Sequence, residues 1–110
     1  MRPQLTTKFW VSAYLARLRL AVIPAFVTAR GDADAGAVLV KLATLDGQAV
    51  AYQRSFDLTA DQRVWVVLAA GDEAAVDAAI ARQRGFDRDL WVIEVEDKAG
   101  RTLLDKDGLR

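Results

Sequence analysis

The chain has 110 residues, of which 53% are hydrophobic, with 15 Lys+Arg against 15 Asp+Glu. That size and apolar content describe a single folded domain over residues 1–110, with one modest core, and the zero net charge indicates no overall attraction to nucleic acid or an anionic membrane. Cysteine and histidine are both absent, which excludes disulfides, zinc sites with Cys or His ligands, Ser-His-Asp and Cys-His catalysis, His-ligated haem and iron–sulfur clusters, and leaves an enzyme only carboxylate, Lys, Arg, Ser/Thr and Tyr chemistry.

The first element is a helix over 7–22. Trp10, Val11, Tyr14, Leu15, Leu18, Ala21 and Val22 mark one broad stripe at 3.6-residue spacing. Thr6 or Thr7 can cap its start, and Pro24 stops it. The apolar run 9–27 faintly resembles a signal peptide. However, Arg17 and Arg19 lie inside it, and each would cost about 2.5–3.5 kcal/mol at a membrane centre. A soluble helix is the better reading, with no membrane span and the cytoplasm as default compartment.

A β region follows. Residues 25–30 read as a short strand, and 31–36 as a loop. Residues 37–44 and 48–54 form a hairpin around Asp46-Gly47. A two-residue loop would put Val50 and Tyr52 on the face opposite Val38, Val40 and Leu42. A three-residue loop, Leu45-Asp46-Gly47 with Gly47 left-handed, pairs Leu42 with Val50 and Val40 with Tyr52, and is preferred because it gathers the large apolar residues on one face. Residues 55–62 read as a polar connection. The nearly continuous apolar run 63–69 predicts a central strand.

Asp72 then caps a second helix, 73–84, whose inward positions are Val76, Ala79 and Ile80. Gly85 is placed as a left-handed cap, with Phe86 packing back on the helix. In the strand 90–96, Trp91, Ile93 and Val95 alternate with Glu94 and Glu96. A turn at Lys98-Ala99-Gly100 and a short segment, 101–105, finish the fold. This order predicts an α+β fold: a mainly antiparallel sheet of four to five strands packed with two helices. If the strands flanking the second helix are neighbours, they form a right-handed parallel crossover and the sheet is mixed.

Three segments carry a resemblance: Phe9-Trp10-Val11-Ser12-Ala13, Arg30-Gly31-Asp32-Ala33-Asp34-Ala35-Gly36-Ala37-Val38, and Phe86-Asp87-Arg88-Asp89-Leu90-Trp91-Val92-Ile93-Glu94-Val95-Glu96-Asp97. In matching order and length, they resemble a bacterial family known only as domain-of-unknown-function family 1491. The resemblance implies a small bacterial protein, typically alphaproteobacterial, and implies no activity, cofactor or site residue.

The Arg30–Gly36 loop is the most distinctive candidate site. Asp32 and Asp34 at i and i+2 resemble the first two ligands of a calcium loop. Gly36 then stands at the third ligand position and Ala43 where a bidentate Glu is required, so no metal is expected. Arg30 with the loop backbone could grip an anion. The plainer reading is a solvated turn, in which the aspartates bond nearby amides and the glycines supply positive φ.

Charge is unevenly spread. No acidic residue precedes Asp32, while Arg2, Lys8, Arg17, Arg19 and Arg30 are basic. Arg17 and Arg19 beside Trp10 and Tyr14 could bind nucleic acid, the bases stacking on the rings, although both rings lie on the core stripe. Asp87 and Asp89, with Glu94, Glu96 and Asp97, could supply paired carboxylates, but turn chemistry and strand alternation already account for the aspartates of the turn and for the glutamates. Trp10, Trp65 and Trp91 are read as core or interface anchors rather than a ligand pocket. With no nucleophile motif or phosphate loop, the residues point away from an enzyme and towards an interaction protein that needs no cofactor and binds a protein partner or itself, as in a homodimer. A nucleic-acid binder and a carboxylate- or metal-assisted enzyme at Asp32/Asp34 are the alternatives.

Overall fold

The structure, a computed structural model, describes residues 6–57, 62–106 and 109. The elements run α1 (Thr7–Leu20), β1 (Ala25–Ala29), β2 (Val38–Ala43), β3 (Gln48–Asp57), β4 (Gln62–Asp72), α2 (Glu73–Phe86) and β5 (Trp91–Glu96). The five strands form one sheet in the order β1-β5-β2-β3-β4. All neighbouring pairs are antiparallel except β2 with β5. This is the predicted α+β architecture, and the sheet is mixed. No described helix is long and apolar enough to cross a membrane.

α1 forms where its stripe and caps agree. The Thr6 side chain accepts from the Phe9 N–H at 3.1 Å, and the Thr7 and Lys8 N–H groups donate to the Asp34 and Ala33 carbonyls. Two turn bonds close the far end, Val22 N–H to Arg19 O at 3.0 Å and Ile23 N–H to Leu18 O at 2.9 Å. This is the pairing of a Schellman motif. It needs a left-handed residue, and Val22 takes that place at φ 59°, so the helix stops short of the expected residue 22.

The hairpin register is as predicted. Leu42 pairs with Val50 and Val40 with Tyr52, and Gly47 is left-handed at φ 87°. The sheet is buried on both faces here, and every residue of β2 is buried. On one face α1 lays Trp10, Tyr14 and Leu18 over Val38, Val40, Leu42, Trp91, Ile93 and Val95. On the other, α2 lays Val76 among Leu39, Ala49, Ala51, Leu90 and Val92.

Several expectations need correction, and the open question of whether the strands flanking the second helix are neighbours is decided. The run 63–69 belongs to β4, which lies at the edge of the sheet rather than the centre. Its sequence is apolar on both sides because α2 meets one face, while Trp65 on the other packs on the α1-side core and its Nε1 donates to the Leu109 carbonyl. β4 and β5 are not neighbours; the parallel pair is β2 with β5. The polar connection is shorter than 55–62, because the β3–β4 ladder runs out to the pair Asp57–Gln62; residues 58–61 lie outside the described set.

α2, finally, runs on through Gly85 to Phe86. The Asp87 N–H still reaches the Gln83 carbonyl, so Gly85 is an interior helix residue and not a left-handed cap. Phe86 is 85% exposed instead of packed back. Asp72 does sit at the N-cap, but its side chain makes no cap bond. Its Oδ1 accepts from Gln48 Nε2 at 3.2 Å, and the carbonyl of Gly47 accepts from the Glu73 N–H.

Candidate functional site

The structure places the predicted site residues in two groups. Arg30, Asp32 and Asp34 lie in the loop that holds the start of α1. Arg17 and Arg19 lie in its last turn, about 15 Å away at 1.5 Å per helical residue. The Asp32 carboxylate accepts from the backbone N–H groups of Asp34 (3.2 Å) and Ala35 (2.8 Å), so the aspartate fills the loop's own amide nest. The Asp32 carbonyl takes the Trp91 indole N–H at 2.7 Å. The Arg30 guanidinium lies over the Trp91 ring, 5.4 Å from its centroid, and the Arg30 carbonyl accepts from Arg84.

Gly31 and Gly36 serve a purpose other than the one expected. Neither has positive φ. A Cβ on either would run into the Asp89 carbonyl, so glycine is required by close approach of two backbones. Trp10 and Tyr14, the rings proposed for base stacking, are buried at 6% and 0% exposure and stack on each other at 5.0 Å.

Two cation clusters emerge from the tertiary structure. The first is at Lys41, the one charged residue of β2. Its side chain is 7% exposed, with Nζ 2.7 Å from Glu73, 2.7 Å from Asp77 and 3.3 Å from Glu94. Burial works to lower the pKa of this ammonium. Hydrogen bonds to Asp77 and Glu73 and the charge of Glu94 outweigh it and raise the pKa above the ordinary lysine value. Lys41 is therefore a fixed cation at neutral pH, and it lacks the free amine that a lysine base or nucleophile requires. It joins α2 and β5 to the central strand. Glu94, expected on a solvated outer face, is part of this cluster. A lone lysine inside an apolar strand was the signal available in the sequence, and its partners could not be read there. Among the described residues, no group of His, Cys, Asp or Glu is arranged to hold a metal ion.

The second cluster is at Arg54. Its guanidinium sits 4.6 Å from the Trp10 ring centroid and 5.0 Å from that of Trp65, and its Nη2 donates to the Leu109 carbonyl. Burial, then the charge of Arg63, lowers its pKa to about 10. Beside it, Tyr52, Arg63, Trp65, Thr102, Leu104 and Asp105 line an open groove of about 690 Å³.

The third feature is the β4 edge. From Arg63 to Asp72 no residue is buried. Between those two charges the strand carries neither a charge nor a proline, and Val67 is 58% exposed. Natural sheets guard long edges with charges, prolines, bulges or covering segments; of these, β4 has a bulge at Leu68 between its two charged ends. β1, the other edge, is only five residues long.

These features define a small α+β protein with one helix on each face of a mixed five-stranded sheet and one long open edge. The chain belongs to the family described as protein of unknown function DUF1491, whose model matches residues 5–105; the resemblance read from three segments is thereby confirmed. It is similar to the crystal structure of a DUF1491 family protein from Caulobacter crescentus CB15, at 36% identity and a TM-score of 0.85, over 93% of this chain and 96% of that one. A second similar structure is an NMR structure of a DUF1491 family protein from the same organism, at 35% identity and a TM-score of 0.81 over 94% and 96%. A third is the solution structure of protein Atu0922 from A. tumefaciens, at 30% identity and a TM-score of 0.71 over 86% of each chain. No curated protein matches the chain.

Proposed function

We propose that this chain is a small, non-enzymatic interaction protein of the bacterial cytoplasm whose docking element is the exposed edge of β4. The observation that carries the reading is that edge: eleven residues long, with no buried residue from Arg63 to Asp72. A partner that adds a strand gains main-chain hydrogen bonds on either side of the Leu68 bulge and covers Val67. The charged clusters support the same reading. Lys41 is neutralised by carboxylates, Asp32 by backbone amides, and Arg30 and Arg54 lie on tryptophan rings, so each has a structural part to play. Burial of Trp10 and Tyr14 removes support from nucleic-acid stacking on α1.

The test is affinity capture from an alphaproteobacterial lysate with wild-type protein and with Val67→Lys, combined with sedimentation of each purified chain. A charge on an edge strand opposes pairing. Capture or self-association that is lost in Val67→Lys, with circular dichroism unchanged, is the expected result. Identical capture and identical mass for the two proteins would overturn the reading.

A further inference from the structure

We infer that the strand added to the β4 edge is β4 of a second copy of this chain. The two would pair antiparallel about a two-fold axis between Val67 and Leu68, with Arg63 opposite Asp72 of the second copy. This inference rests on β4 being the docking element, and names its occupant.

The register follows from the β-bulge. β3 pairs Tyr52 with Val67 and Ala51 with Ala69, so Leu68 is an extra residue in β4. Side chains alternate along a strand, and an extra residue shifts that alternation by one. Before the bulge, Arg63, Trp65 and Val67 lie on the α1 side of the sheet, Trp65 and Val67 opposite Arg54 and Tyr52 of β3. After it, Ala70 and Asp72 share that side with Val50 and Gln48. In a strand without the bulge, Arg63 and Asp72 would point to opposite faces.

With the bulge, antiparallel pairing of Arg63 with Asp72 also pairs Trp65 with Ala70 and Val66 with Ala69. Every one of these pairs is matched face to face, and the two bulges meet at the axis. Shifting the register by one residue mismatches the faces on both flanks. Shifting it by two sets Arg63 against Ala70 or carries it beyond the end of β4.

Charge selects the same register. Each end of β4 carries one charge, of opposite sign, and the two-fold axis brings unlike ends together twice. Arg63 lies close enough to Arg54 for like charges to interact, and a carboxylate from the second copy would relieve that repulsion. The partly exposed Val67 side chains would meet across the axis. The product is a continuous ten-stranded sheet with an isologous interface and no open β4 edge.

The chain contains no cysteine, so the register can be tested by cross-linking. Directly opposed antiparallel residues have Cα atoms about 4.5–5.5 Å apart, within disulfide reach. Residues 63 and 72 of one strand are about 30 Å apart, far beyond it. The double variant Arg63→Cys/Asp72→Cys, mildly oxidised, is expected to give a covalent dimer on a non-reducing gel. Either single variant should give at most a tenth as much.

Sedimentation should show a dimer for the wild type, and Val67→Lys should raise its dissociation constant at least tenfold. A dimer that the double variant fails to cross-link overturns the inference, because the copies then meet elsewhere. A wild type that is monomeric at several hundred micromolar also overturns it. If that monomer still captures a protein through β4, the docking-edge reading survives; if it captures none, both fall.

Discussion

α1 and α2 hold opposite faces of one sheet by different means. α1 buries Trp10, Val11, Tyr14 and Leu18, large side chains that interlock with six apolar residues of β2 and β5. α2 is the same length but buries only Val76. Its remaining inward residues are small or half-buried, as at Ala79 and Ile80, and the alanines Ala49 and Ala51 beneath it let it lie close to the sheet. What α2 lacks in apolar area it replaces with Lys41, which grips Glu73 and Asp77 from below. One helix is held mainly by burial, which has no titrating group and is not screened by salt. The other is held partly by charge, which is sensitive to both pH and salt.

The largest effect should come from breaking the α1 side. Leu18 is fully buried, and Leu18→Ala should cost about 2–5 kcal/mol in urea unfolding. Val76→Ala on the other helix should cost only about 1–2 kcal/mol, in proportion to the smaller apolar area lost.

Next comes the clamp. Lys41→Met removes the ammonium and leaves its carboxylates facing one another. Glu73 and Asp77 are half-exposed and can rehydrate, so the expected cost is about 1–2 kcal/mol at pH 7, below the value for a sealed ion pair. The cost should shrink as salt is added, because screening weakens the repulsion among the exposed carboxylates. Leu18→Ala should show no comparable dependence.

The helix ends sharpen the contrast with gains in stability. α1 ends on a left-handed valine, Val22, which is 85% exposed, while α2 carries a glycine, Gly85, inside its last turn with open space around it. Each residue would suit the other's place better. Val22→Gly should stabilise by about 1 kcal/mol, by relieving a conformation that β-branched residues resist. Gly85→Ala should stabilise by about 0.5–1 kcal/mol through backbone entropy. Thermal melts of both variants check the pair.

The smallest effect lies outside both helices. Hydrogen bonds from the Arg101 side chain and backbone hold the Asp97 carboxyl below the ordinary value of 3.8. A carboxyl lowered in the fold adds stability above its unfolded pKa and loses it as pH falls through the lower, folded one. The Arg101 side chain it pairs with is 52% exposed, so the contribution is small and salt-screened. Carboxyl-carbon NMR should find Asp97 titrating below 3.8 in the wild type and moving back towards it in Arg101→Gln.

The legible parts of this protein were those whose cause is local. The α1 stripe and its Thr6 cap, the alternation of Trp91, Ile93 and Val95, and the hairpin register all depend on residues within a few positions of one another. The Arg30–Gly36 loop was legible as a turn stabilised by its own aspartate, because Asp32 bonds amides two and three residues on. The function of its glycines was not, since the atom they avoid, the Asp89 carbonyl, lies far along the chain. The end of α2 was misread for a related reason. Gly85 has the composition of a cap, but the Asp87–Gln83 bond continues the helix past it.

By itself, then, the sequence determined the elements, their faces and the family, because periodicity, turn chemistry and caps are written in neighbouring residues. Only the tertiary structure decided the order of the strands. An apolar run such as 63–69 looks the same at the centre of a sheet and in an edge strand whose two faces meet α2 and the α1-side core. Strand order also decided that Lys41 meets Glu94 across the parallel β2–β5 pair and that β4 is left open. Those features arise from pairings between distant segments, whose cost in chain entropy is met by the burial of the whole sheet and leaves no local trace.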